Sequence, residues 1–330
     1  MNILVTGGTG FIGEHFIPEL LKEGHNVRLL VRNLKKAKKL FGDTCEYFVA
    51  DVTDTNSLKG CCDNIDIVYH MVAKVGNELP SEKNYYEFKL INVIGTKNIM
   101  EEAKRCKIKK FIFISSIAAM GIVDECPISE KSLCKPYLPY QVSKYEAEKL
   151  LNEEFKKSNF PIVCVRPTKV YGVGEHEFSF LKLSKMCKKG FFIKISKRDS
   201  YISNIYISDF VAGLISTLHN GKIGETYILT SKSSICINDV CKIISNTLKR
   251  KVILLSIPEK ILLIVSSLQE RIFIKMGKIP IVTKKNIESM CKNRIYDISK
   301  AITELGFEPE VSMSEGIKNV VQWYIDTNKI

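Results

Sequence analysis

NILVTGGTGFIGEHFIPELLKEG, residues 2–24, carries three structural signals in one run. Residues 2–6 form a short apolar stretch of strand character, 7–13 are rich in glycine, and 14–24 place apolar residues at helical spacing before a glycine stop. The segment reads as strand, tight turn and helix. Gly7, Gly10 and Gly13 serve that arrangement in three ways: they permit the turn, let a pyrophosphate approach the backbone, and let helix pack on strand. The helix start at Phe11 and Ile12 then directs its unpaired N–H groups at the anion.

Further apolar runs at 27–31 (VRLLV), 46–51 (EYFVAD), 65–73 (IDIVYHMVA) and 110–116 (KFIFISS) each follow a helix-compatible segment. Strands alternating with helices imply an α/β fold of the Rossmann type, a doubly wound parallel sheet with ligands beyond the strands' C-terminal ends. In such folds the second strand usually ends in a carboxylate that holds the ribose 2′-hydroxyl. Here it ends in Arg32, followed by Asn33, Lys35 and Lys36. A carboxylate would repel a 2′-phosphate, whereas a guanidinium can grip it through two hydrogen bonds. NADP is the expected cofactor, with NAD the alternative.

The chain of 330 residues, 45% hydrophobic, is large enough for one big α/β domain or two smaller ones. Its net charge of +13 is mostly spread over helix faces, with dense patches only at 35–39 and 182–198, which argues against nucleic acid and for an anionic small ligand. Eleven cysteines without a CxxC pair, and scattered histidines, point to reduced thiols in a cytoplasm and to no metal site. A strand beginning at once leaves no room for a signal peptide. ILLIVSSL at 261–268 is far shorter than a membrane span and reads as a buried helix, so a membrane partner is not expected.

YQVSK at 140–144 pairs a tyrosine with a lysine on one helix face, and so do Tyr145–Lys149, Tyr85–Lys89 and Tyr296–Lys300. The pattern alone does not choose among them. The wider set of motifs does: TGGTGFIG (6–13), LVRN (30–33), ADVTD (50–54), HMVA (70–73), NVIGT (92–96), SSIAAMG (115–121), YQVSK (140–144), RPTKVYG (166–172), NIYISD (204–209) and SKAITELGFEP (299–309). In this order they resemble the extended short-chain dehydrogenases/reductases, in the epimerase/dehydratase and dihydroflavonol-reductase-like branch. The resemblance implies that Gly7, Gly10 and Gly13 line the pyrophosphate, Arg32 binds the 2′-phosphate, Asp51 and Val52 meet the adenine, and Ala73 and Pro167 lie beside the cofactor. It assigns Ser116 as the catalytic hydroxyl, Tyr140 as the acid/base, Lys144 as its lysine and the holder of the nicotinamide ribose, and Asn92 as a supporting residue. Two departures are Val72, where a second small alanine is common and crowding of the cofactor is expected, and Met120, where sugar epimerases often carry tyrosine. Tyr145 lies about 140° round the helix from Tyr140, at roughly 100° per residue, and falls outside the site.

The resemblance divides the chain into a cofactor-binding part, 1–166 plus about 204–231, and a smaller, mostly helical substrate part, 167–203 plus 232–330. Within the latter, seven cations between Lys182 and Arg198 could grip a diphosphate or simply face solvent, and the apolar stretch 252–281, with GKIPIVT at 277–283, would cover the substrate. That stretch favours NADPH-dependent reduction of a ketone; a nucleotide-sugar epimerase or dehydratase that recycles its cofactor is the alternative. A cofactor-binding protein without turnover fits less well, since Ser116, Tyr140 and Lys144 are all present. A homodimer is compatible with either enzyme.

Overall fold

The computed structural model describes residues 1–175, 179–195, 200–276, 284, 287 and 292–330. Its main sheet has seven strands: β1 (Asn2–Thr6), β2 (Asn26–Val31), β3 (Glu46–Val49), β4 (Ile67–His70), β5 (Lys110–Ile114), β6 (Ile162–Pro167) and β7 (Thr226–Leu229). They run in the order β7–β6–β5–β4–β1–β2–β3, and every neighbouring pair is parallel. The direction of winding reverses between β1 and β4, which opens a crevice at their C-terminal ends. β4 ends at His70, and just beyond it Thr6 Oγ1 accepts the N–H groups of Met71 and Val72 at 3.2 and 3.3 Å.

Alternation along each strand sends side chains to two separate cores. Ile3, Val5 and Leu29 meet Phe16, Ile17 and Leu20 of α1 (Phe11–Lys22), together with residues of α7 (Ile207–Asn220). On the other face Leu4, Leu30, Val68 and Phe111 meet α4 (Gly95–Arg105) and α5 (Pro139–Ser158). Between these in sequence lie α2 (Leu34–Phe41), α3 (Glu82–Lys89) and α6 (Leu181–Lys188). Each such apolar side chain taken fully from water contributes about 1.5–3 kcal/mol, so both faces of the sheet drive the layering.

A third core gathers Tyr171, Phe180 and Phe192 with Val240 and Ile244 of α8 (Ile237–Thr247) and with Ile317, Val320 and Tyr324 of the C-terminal helix Met313–Asp326. The strand Ile253–Ile257 pairs with Phe191–Ile195 beside it and leads into α9 (Glu259–Lys275). Here the expectation of a buried helix fails. Ile264 is 61% exposed and Leu268 54%, while Ser266 is buried. One apolar stripe of α9 faces out, while its inward side is mixed, with Ser266 buried beside half-buried Leu262, Leu263 and Phe273. GKIPIVT lies outside the described residues.

Candidate active site

Backbone contacts dictate the glycine loop. Gly7 has φ +76°, and a Cβ there would sit 2.7 Å from Val72 N; a Cβ on Gly13 would sit 2.1 Å from Gly8 O. No side chain fits at either place, so β1, α1 and the segment after β4 close tightly together. Gly10 differs: a Cβ would find nothing nearer than Gly7 O at 3.5 Å, and no side chain caps α1 above it. The N-terminus of α1 lies at Phe11 and Ile12, both half-buried, and carries the partial positive charge of a helix start.

Arg32 follows β2 directly with a side chain 72% exposed, and its guanidinium lies 3.7 Å from the Asp51 carboxylate. Burial alone would raise the Asp51 carboxyl, but hydrogen bonds from the Thr53 N–H and hydroxyl, 2.9 and 2.8 Å, and the Arg32 charge hold it below the usual range. Val52 is buried beneath them. Asn33 caps α2 by accepting the Lys36 N–H at 2.9 Å, and Lys36 Nζ donates to Thr9 O at 2.7 Å, tying this basic turn to the glycine loop.

Ser116 stands two residues beyond β5 and caps the short 3₁₀ turn Ile117–Met120, its Oγ accepting the Ala118 N–H at 3.1 Å. α5 starts at Pro139, whose missing N–H costs nothing at a helix start. That places Tyr140 in the first turn, half-buried, 6.1 Å from the Phe88 ring between centroids. Lys144 follows one turn later, fully inside. Its Nζ donates to Ile114 O at 2.7 Å and lies 4.7 Å from the centre of the Phe113 ring. Burial pushes this ammonium down to about 8. The helix carrying Tyr140 and Lys144 is thereby fastened to the strand end that carries Ser116.

The other tyrosine–lysine pairs go elsewhere. Lys149 lies over the Tyr145 ring at 6.0 Å, away from the strand end, and Tyr85 Oη donates to Tyr137 O. Tyr296 bridges to Ile128, while Lys300 bonds Glu225 and the carbonyl of Thr226, at the opposite edge of the sheet. Of the remaining candidates, Ala73 lies three residues past β4 and Pro167 is the last residue of β6. All of them occupy the same C-terminal edge. Val72 is half-buried and packs against the core that contains Leu4, Leu30 and Val68. Met120 is buried in the core that contains Ile3, Val5 and Phe16.

Asn92, in a π-helical turn at Leu90–Ile94, bonds both the N–H and the carbonyl of Lys74, at 2.7 and 2.9 Å, and reaches Ser143 Oγ at 2.8 Å. It therefore joins the segment after β4 to α5. Two further buried groups were not foreseen. Buried His70 lies between Thr6 and Thr96, each 2.9 Å away, and burial followed by the Lys144 charge lowers it to about 3. Thr6 accepts from the backbone and Thr96 donates to Asn92 O at 2.7 Å, so a neutral imidazole with its proton on Nε2 satisfies the chain. Glu148, one turn after Lys144, accepts from Arg166 Nε and Nη2 at 3.0 and 2.7 Å, and from Ser115 Oγ. Glu148 at i+4 from Lys144, on the same helix face, was the available signal.

The model of the NAD dependent epimerase/dehydratase family matches residues 3–229. The chain belongs to this family. Its relatives include the human dTDP-D-glucose 4,6-dehydratase, 26% identical, covering 98% of this chain and 89% of that protein. Another is the N-acetyl-alpha-D-glucosaminyl-diphospho-ditrans,octacis-undecaprenol 4-epimerase of Escherichia coli, 23% identical over 98% of this chain and 95% of its own length. Among solved structures, a UDP-glucuronic acid 4-epimerase from Bacillus cereus in complex with NAD is 25% identical with a TM-score of 0.77, covering 99% of each chain. The family comprises oxidoreductase-type enzymes of the extended short-chain dehydrogenase/reductase group, as the motifs implied. Among the described residues no cluster suits a metal ion, and no helix is long and apolar enough to cross a membrane.

Proposed function

We propose that the protein transfers hydride between a nicotinamide dinucleotide and a secondary alcohol carbon of a diphosphate-linked sugar, returning it to the same carbon so that the cofactor is recycled. The observation that carries this is Lys144, buried and bonded to Ile114 O, one helical turn from Tyr140 and behind Ser116. The cofactor, when bound, supplies a hydride acceptor and donor and a positive ring. A tyrosine with an ordinary pKa near 10 is a poor base, and the Lys144 ammonium stabilises its phenolate. Tyr140 takes the hydroxyl proton as hydride leaves the carbon, then gives it back when hydride returns. Ser116 hydrogen-bonds the same oxygen while charge is on it. Gly7, Gly10, Gly13 and the α1 N-terminus would hold the pyrophosphate, Asp51 and Val52 the adenine end, and Ala73 and Pro167 the rest of the cofactor. Residues 167–203 and 232–330 would supply the sugar side.

The similar proteins named above act on sugars joined to a diphosphate, which supports this substrate class. The apolar stretch 252–281 no longer argues for an apolar ketone, because its described part faces outward rather than over the strand ends. Net reduction with NADPH stays as a second reading for one reason: Arg32 is exposed at the end of β2, where a 2′-phosphate would lie. Both are tested by incubating the protein with UDP- and dTDP-sugars in the presence of NAD or NADP, and separately with ketones and keto-sugars in the presence of NADPH, following isomers by chromatography and NADPH by absorbance. Isomer formation without net NADPH loss supports recycling. Stoichiometric NADPH loss supports reduction, and neither in the presence of bound cofactor refutes both.

A further inference from the structure

We propose that the outward face of α9 docks the protein on an anionic lipid surface. Ile261, Ile264, Val265, Leu268, Ile272 and Met276 are each between 52% and 61% exposed. At about 100° per residue these six positions fall within one stripe roughly 120° wide that runs the length of the helix. A water-facing helix of a globular protein has the reverse pattern, with its apolar stripe on the core. Here the inward side is mixed, with Ser266 buried and its hydroxyl on Leu263 O at 3.1 Å beside half-buried Leu262, Leu263 and Phe273, and the most exposed apolar side chains stand on the outer side. The stripe continues into the preceding strand, where Ile253, Leu254 and Leu255 are also exposed. A contiguous apolar surface of this kind marks a binding face.

The charges beside it specify what it binds. Lys260 and Arg271 are exposed along one margin of the stripe and exposed Lys275 falls just inside that same margin, whereas Glu259 and Glu270 lie on the opposite side of the helix. At the strand end the patch is flanked by further exposed cations, Lys249, Arg250 and Lys251, and by Lys188 and Lys189, brought there because Ile253 N–H bonds Gly190 O at 2.9 Å. An apolar stripe bordered by cations and screened from the acids fits a membrane whose headgroups are negative: the side chains enter the acyl boundary and the ammonium and guanidinium groups meet phosphate. A second protein copy would bring these same cations against one another. This inference uses none of the catalytic assignments.

The test is co-sedimentation of the full chain with vesicles of pure phosphatidylcholine and with vesicles containing phosphatidylglycerol. The expected result is binding to the second and much weaker binding to the first, with each cation contributing roughly fivefold in affinity. Ile264→Glu/Leu268→Glu should abolish binding to both, and Arg271→Glu/Lys275→Glu should weaken binding to the anionic vesicles more than tenfold. These positions are exposed, and unchanged circular dichroism and cofactor titration establish that the variants fold. Wild-type protein that ignores both vesicles overturns the proposal. So does a wild-type dimer, without lipid affinity, that Ile264→Glu/Leu268→Glu converts to a monomer.

Discussion

Replacing Glu148 with leucine isolates what the buried Glu148–Arg166 pair does for the site. Their side chains are only 3% and 9% exposed and meet through two hydrogen bonds of 2.7 and 3.0 Å. Removing one partner of such a pair leaves a buried, uncompensated charge, which costs about 3–5 kcal/mol, whereas replacing both by apolar residues of similar size is close to neutral. For 330 residues the unfolding entropy is roughly 0.7 kcal/mol/K, at about 2 cal/mol/K per residue, so a loss of 4 kcal/mol lowers Tm by about 6 °C. Glu148→Leu and Arg166→Met should each show this drop by calorimetry and denaturant titration. The double variant should recover most of it. If instead the double variant loses the sum of the two single effects, the pair is not coupled and the reasoning is refuted.

Tyr140→Phe should abolish turnover while leaving cofactor affinity within about threefold, and Tyr145→Phe should change neither; a dead Tyr145 variant would mean that the wrong helix face was assigned. Arg32→Asp should shift cofactor preference away from NADP, read from titrations with both dinucleotides, and equal wild-type curves for the two would remove the basis of the NADP reading. Gly13→Ala should destabilise the fold by at least about 2 kcal/mol, because its methyl meets backbone. Gly10→Ala should melt like wild type but bind dinucleotide more weakly. Burial lowers the Lys144 ammonium from 10.5 to about 8, so its charge is present below that pH and lost above it. The rate should therefore fall as pH rises through about 8, and any residual rate of Lys144→Arg should lack that fall.

The glycine loop and the first five strands were legible because their signals are local: apolar runs, glycine spacing, and a helix start directly after a strand. Ser116, Tyr140 and Lys144 were legible only through the ordered set of motifs, since three other tyrosine–lysine pairs have the same spacing. What anchors them was hidden. The bond from Lys144 to Ile114 O spans 30 positions, and Glu148 and Arg166 look like ordinary surface charges until the sheet brings α5 against β6. α9 was misread for a different reason. A run of isoleucines and leucines signals that something apolar is wanted, but not whether the chain itself provides it, and only the inward position of Ser266 shows which side the protein occupies.

All six residues of β6 are buried, and its outer neighbour β7 comes from Thr226–Leu229. During synthesis the ribosome therefore releases β6 well before the strand that shields its margin exists. A nascent or truncated chain ending between 170 and 225 holds a complete row of inner strands with one raw, apolar border, the kind of border that recruits other chains. Stop codons and engineered truncations that fall in this interval should yield inclusion bodies, even though they leave every residue of the glycine loop and of the Ser116–Tyr140–Lys144 constellation intact.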